Sequence, residues 1–143
     1  MHDSQFRHTC RGIDHAVALE GALKLKEVSY IQTEGFAAAE LKHGTISLIE
    51  DGTPVIALIN DPVTADLTRG NIQEVTSRGA SVITIVGKEF ARDTDDIVLP
   101  EINYYMSALL TVVPTQLLAY YASKDKGLDV DKPRNLAKSV TVE

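Results

Sequence analysis

Glu20, Lys24 and Glu27 stand at positions i, i+4 and i+7 of the stretch "ALEGALKLKEVSY", Ala18 to Tyr30. On a helix that spacing places all three on one face within a narrow arc. Ala16, Val17, Leu23, Val28 and Ile31 fall around the same arc, so the charges interrupt an apolar surface instead of lying opposite one. One reading is a solvated Glu–Lys–Glu ladder, worth a few tenths of a kcal/mol per pair. The other is a pocket wall or subunit contact, where burial perturbs the pKa values and suits these groups to proton transfer. Spacing alone does not choose between them.

His43 closes "AAAELKH" just before Gly44. It reads either as an imidazolium at a helix C-terminus, favoured by the dipole and followed by a left-handed glycine cap, or as an acid/base group working near neutral pH. Lys138 lies in the tail "KGLDVDKPRNLAKSVTVE", which has no helical periodicity. A tail lysine is ordinarily a solvated charge. Here Leu136, Ala137, Val140 and Val142 surround it, the composition of a segment that docks. A desolvated lysine has a lowered pKa and attacks carbonyls to form a Schiff base.

The elements that must position these residues alternate in type. Asp14 is a candidate N-cap for a helix to about Gln32, and Gly35 breaks the pattern before a short second helix, "AAAELKH", stopped by Gly44. "PVIALI" (Pro54 to Ile59) and "SVITIVG" (Ser81 to Gly87) are β-branched runs separated by the amphipathic segment Val63 to Arg78, a βαβ unit. A third apolar run, "DIVLP", precedes a helical segment from about Tyr104 to Lys124 in which Pro114 marks a kink or break. Strands apolar throughout belong to a parallel sheet covered on both faces. The expected fold is therefore an α/β, doubly wound parallel sheet with helices on both faces and an irregular C-terminal tail. By contrast "FRHTCRG" is a poor strand by composition.

With 143 residues and 44% hydrophobic composition, the chain suits one domain with a packed core. A net charge of −6 and no Lys/Arg cluster argue against nucleic acid or an anionic membrane as partner. The start of the chain is polar where a signal peptide needs an apolar run, and no stretch approaches membrane-spanning length. The single cysteine, Cys10, excludes an internal disulfide, matches no metal-ligand spacing and fits a reducing, cytoplasmic compartment.

Taken together, "ALEGALKLKEVSYI", "GFAAAELKHG", "TVVPTQLLAYY" and "DKPRNLAKSVTVE" closely resemble the C-terminal part of the glucosamine-6-phosphate synthase family, the isomerizing glutamine:fructose-6-phosphate aminotransferases. The match runs from about Gly12 to Glu143. Members carry a glutaminase domain followed by an isomerase of two sugar-isomerase (SIS) halves, each a flavodoxin-like doubly wound layer, and this chain looks like the second half. The resemblance implies residues 1–126 as the SIS domain and 127–143 as a catalytic tail. It implies that Lys138 forms a Schiff base with open-chain fructose 6-phosphate, that Glu27 moves a proton between C1 and C2, and that His43 assists ring opening in a neighbouring subunit's site. Glu20 and Lys24 are implied as supporting, substrate-binding members.

The implied product is glucosamine 6-phosphate, made without metal or organic cofactor. The implied partners are the first SIS half, the glutaminase domain and a second copy in a homodimer. Such chemistry is coherent, because isomerization needs a carbonyl activated as an imine and one base able to serve two adjacent carbons. Two departures limit the match. The first strand is weak, and the turn "INDPVT" offers Asn60 and Asp61 where the family's other half holds phosphate with Ser/Thr-rich loops, so the phosphate site is expected to be absent. The chain alone is therefore expected to be catalytically weak. Cys10 matches no glutaminase motif. Two rival readings stand beside this one: a related SIS-type deglycase or sugar-phosphate isomerase, and a non-catalytic sugar-phosphate-sensing module, which needs neither Lys138 nor Glu27.

Overall fold

The computed structural model describes residues 6–10, 12–37 and 44–134. Five parallel strands, β1 (Phe6–Cys10), β2 (Thr33–Ala37), β3 (Pro54–Ile59), β4 (Ser81–Gly87) and β5 (Ile97–Leu99), form one sheet in the order β2-β1-β3-β4-β5. The helices are α1 (Asp14–Ser29), α2 (Ala65–Thr76) and α3 (Ser107–Asp125). Alternation along β3 explains why the layer is covered on both sides. Ile56 and Leu58 pack with Val17 and Ala18 of α1 and with Leu110 and Leu118 of α3, whereas Val55 packs with Val75 of α2. This is the doubly wound α/β arrangement expected from the sequence.

Several local readings are corrected. The poor strand "FRHTC" is β1, which sits inside the sheet between β2 and β3. Arg7 and His8 are both buried, on opposite faces of the strand. Arg7 lies over the Phe36 ring, 5.5 Å from its centroid, with Nη1 3.7 Å from Glu34 of the neighbouring strand. His8 is packed so tightly against α1 that a Cβ on Gly21 would lie 2.8 Å from its Cε1. Backbone pairing on both sides outweighs composition here. The helix expected to reach Gln32 stops at Ser29, and Gly35 lies within β2 instead of breaking a helix. The short helix assigned to "AAAELKH" falls on residues 37–43, of which Ala37 closes β2 and 38–43 lie outside the described residues. Pro114 neither breaks nor ends α3, which runs through it after a 3-10 turn, Tyr104–Met106.

Asp14 is also reassigned: it makes no cap and is the first residue of α1. Buried, its carboxylate accepts two hydrogen bonds from Asn60, from the backbone N–H and from Nδ2, each at 2.8 Å. That pair ties the start of α1 to the end of β3. Burial holds the Asp14 carboxyl above its ordinary pKa, an effect opposed by the two Asn60 hydrogen bonds. Asp14→Ala would leave a buried N–H and a buried amide without an acceptor, and should cost about 2–4 kcal/mol in urea unfolding. A loss under about 0.5 kcal/mol, the range of an unremarkable surface substitution, would show that the pair contributes nothing.

Among the described residues neither ring nitrogen of His8 has a hydrogen-bond partner, and burial pushes its pKa down to about 4 from 6.5. Between those two values the unfolded chain binds more protons than the folded one, so stability should fall as the pH drops from about 6.5 towards 4, by on the order of 3 kcal/mol. His8→Leu has nothing to protonate. Its urea midpoint should change less between pH 7 and pH 5 than that of the parent; an equally steep fall would remove His8 as the source.

Candidate functional site

The orientation of α1 decides where its charges go. Val17, Ala18, Gly21, Ala22 and Leu25 form its buried face, closed against the sheet and α3. Glu20, Lys24 and Glu27 consequently lie on the other side of the helix. There the structure brings them together: Lys24 Nζ donates to Glu27 Oε2 at 2.7 Å and stands 3.6 Å from Glu20 Oε1. Their side chains keep 35%, 25% and 41% of their surface exposed for Lys24, Glu27 and Glu20 respectively. The hydrogen bond to Glu27 raises the Lys24 pKa above its ordinary value, against a smaller opposing effect of burial. The apolar neighbours anticipated around them are of two kinds. Val17 is buried in the core, but Leu23 is exposed, as is Leu19, which the spacing had not singled out.

On α3, which packs against α1, Leu109, Val113, Leu117, Tyr120 and Tyr121 are also exposed.

The end of α1 is a second point of convergence. Tyr30 closes the helix in a left-handed conformation, φ 58°, with its N–H donating to Lys26 O. Ser123 Oγ donates to Val28 O and Lys126 Nζ to Ser29 O, each at 2.8 Å, so the end of α3 is pinned to the same turn. The chain then returns. Arg134 N–H donates to the Tyr30 hydroxyl at 2.5 Å, and the Arg134 guanidinium lies 4.5 Å from the Tyr30 ring centroid. Lys138 follows Arg134 by four positions. His43 and Lys138 themselves lie outside the described residues.

In a sheet of this strand order the crevice for ligands opens beyond the carboxyl ends of β1 and β3. Here it is filled from within. Asn60 is engaged by Asp14, and Asp61 Oδ1 accepts the Val63 N–H at 2.8 Å. The other Asp61 oxygen packs on Gly12, φ +59°, where a Cβ would come within 2.0 Å of it. Partial burial, and then the Asp61 carboxylate beside it, raise the Tyr104 phenol above its ordinary pKa. Two buried carboxylates make this an unfavourable setting for a phosphate dianion. A shallow cleft of about 420 Å³ lies farther along, at the ends of β3, β4 and β5, lined by Asn60, Phe90, Tyr104, Ser107 and Leu110 among others. None of the ladder residues reaches it.

Sequence reasoning missed the Asp14–Asn60 pair and the Tyr30–Arg134 contact, which join residues 46 and 104 positions apart. No short-range pattern carries either. Among the described residues no group of histidine, cysteine and carboxylate side chains is placed to hold a metal ion, and no helix is long and apolar enough to cross a membrane.

The SIS domain family model matches residues 9–123. The chain is 68% identical over 133 residues to the isomerizing glutamine–fructose-6-phosphate aminotransferase of Streptococcus pneumoniae (strain ATCC BAA-255 / R6), covering 93% of this chain and 22% of that protein. It is 65% identical over 133 residues to the protein of the same name from Lactiplantibacillus plantarum, with the same coverage. It thus spans about a fifth of the length of the curated relatives it matches. Among solved structures, the C-terminal domain of glucosamine-fructose-6-phosphate aminotransferase from Francisella tularensis superposes with a TM-score of 0.82 at 36% identity, covering 91% of this chain and 38% of that one. Glucosamine-6-phosphate deaminase from Thermotoga maritima follows the same fold, with a TM-score of 0.78 at 28% identity, covering 96% and 40%. Five parallel strands in this order, helices on both faces and a family match over most of the chain establish that it belongs to the SIS domain family.

Proposed function

We propose that this chain is the second SIS half in the isomerase part of a glutamine–fructose-6-phosphate aminotransferase, with residues 127–143 as its catalytic tail. The observation that carries the reading is the 68% identity over 133 residues to proteins of that name. In it, the Lys138 amine adds to the C2 carbonyl of open-chain fructose 6-phosphate and, with loss of water, forms an imine. Ammonia released from glutamine by the glutaminase domain then displaces the Lys138 amine, leaving its nitrogen on C2, and Glu27 takes a proton from C1 and returns it at C2 to give glucosamine 6-phosphate, its orientation held by Lys24 2.7 Å away. Glu20 holds Lys24 from the other side. His43 assists ring opening in the site of a partner subunit.

Distance supports the pairing of tail and ladder. From Arg134, anchored beside Tyr30, the four steps to Lys138 span at most about 14 Å, whereas Glu27 lies three residues, about 4.5 Å of helix rise, before Tyr30. The exposed apolar side chains of α1 and α3 suit cover by the first SIS half or by a second copy, which would desolvate the ladder as proton transfer requires. The phosphate would be held by that other half, since the crevice at β1 and β3 is occupied by Asp14 and Asp61.

With the chain joined to the first SIS half, borohydride reduction with excess fructose 6-phosphate should place one sugar adduct on Lys138, found by peptide mapping and lost in Lys138→Ala. Adducts spread over surface lysines in that assembly would remove the Schiff-base reading. In the same assembly Glu27→Gln should slow incorporation of solvent deuterium into the sugar by at least about 100-fold. The same substitution should change folding stability by less than about 1 kcal/mol, because the ladder is half-exposed. Loss of both together would make Glu27 a structural residue.

A further inference from the structure

The shallow cleft of about 420 Å³ at the ends of β3, β4 and β5 has no part in the chemistry proposed above. Where α3 begins, the cleft is lined by Ser107, which is 5% exposed and whose Oγ has no hydrogen-bond partner among the described residues. A serine at the start of a helix ordinarily spends its hydroxyl on capping a backbone N–H. Ser107 does not. The cap position is Met106, and the bond Ser107 accepts is at its carbonyl, from the Thr111 hydroxyl at 2.8 Å. Burying a hydroxyl without a partner destabilises the fold, and a partner supplied by a ligand would remove that cost.

The remaining walls suit such a ligand. Phe90, Leu99, Ile102 and Leu110 give the cleft an apolar lining, the composition of small-molecule sites in which few polar groups orient the occupant. The wall that carries Phe90 is also set in advance. Arg69 of α2 donates through Nη2 to Phe90 O at 2.9 Å and holds Asp95 with both guanidinium nitrogens. The Asp96 carboxylate accepts from the Thr84 N–H at 2.8 Å and from the Thr84 hydroxyl at 3.0 Å. The loop between β4 and β5 is thereby tied to α2 and to β4. Charge then favours one kind of ligand. Glu89 and Glu101 line the cleft with Lys88, and the buried Asp61 carboxylate stands beside Tyr104, so carboxylates outnumber cations there. We propose that this cleft binds a small ring compound carrying an amine, its ring against Phe90, Ile102 and Leu110 and its ammonium group donating to Ser107 Oγ.

Backbone-amide NMR of the chain tests this with benzylamine as the probe. Titrated to about 20 mM at low ionic strength, benzylamine should move the signals of residues 87–90 and 102–110 with a Kd of about 1 mM, within reach of a ligand of that size. Benzoate, the same ring with the charge inverted, should bind at least about fivefold more weakly, and the gap should narrow at high salt. Ser107→Ala should weaken benzylamine binding about tenfold while its melting temperature stays at or above that of the parent chain, because the change removes a buried hydroxyl that bonds nothing. Phe90→Ala should weaken binding as well. Absence of shifts at residues 87–90 and 102–110, or shifts scattered over acidic surface elsewhere, would overturn the site. Benzoate binding as tightly as benzylamine would overturn the class of ligand. A Ser107→Ala chain that melts lower and binds benzylamine undiminished would overturn the role given to Ser107, making its hydroxyl a part of the fold.

Discussion

The burial of one face of α1 between the sheet and α3 is the constraint on which the rest depends. Gly21 allows the helix to approach β1 so closely that His8 fills the space a side chain would take. Val17, Ala18, Ala22 and Leu25 complete that contact. Once this face is committed, the helix cannot rotate, and the row Glu20, Lys24, Glu27 must emerge on the far side. The Asp14–Asn60 pair fixes the helix at its start, and the bonds from Ser123 and Lys126 fix it at its end. A row of three charges is thereby held on an element whose position is set at both ends and along its length.

The same packing has a cost at β1. Arg7 and His8 are buried in a strand that pairs on both sides, and His8 brings two nitrogens that find no partner among the described residues. Unpaired buried polar atoms destabilise, here without the compensation of a network. Arg7 is better placed, over Phe36 and near Glu34. Parallel pairing with β2 and β3 holds the strand in spite of its composition.

The ladder and the cleft at β3 to β5 sit apart, and the difference in their surroundings is informative. The cleft lies among the ends of β3, β4 and β5, whereas the ladder rides on α1, where Leu19 and Leu23 are exposed. Covering the exposed side chains near the hydrogen-bonded Lys–Glu pair would lower the local dielectric and sharpen every interaction of the pair.

Much of this was legible beforehand. The β-branched runs at 54–59 and 81–87 and the amphipathic segment between them carry local periodicities, so β3, α2 and β4 follow from short stretches alone. The ladder was legible for the same reason, since i, i+4, i+7 spacing is a property of any helix. Its exposure was not, because neighbours in sequence do not reveal which face the sheet and α3 will cover. Strand β1 reads as polar and β2 as a glycine break, and only pairing across the sheet makes strands of them. Residue types and their spacing along the chain determined which groups could act on a carbonyl and on which elements they ride. Which face of α1 is covered, and how residue 134 comes to stand beside residue 30, were decided only by the tertiary structure, because both rest on contacts between segments that no local pattern links.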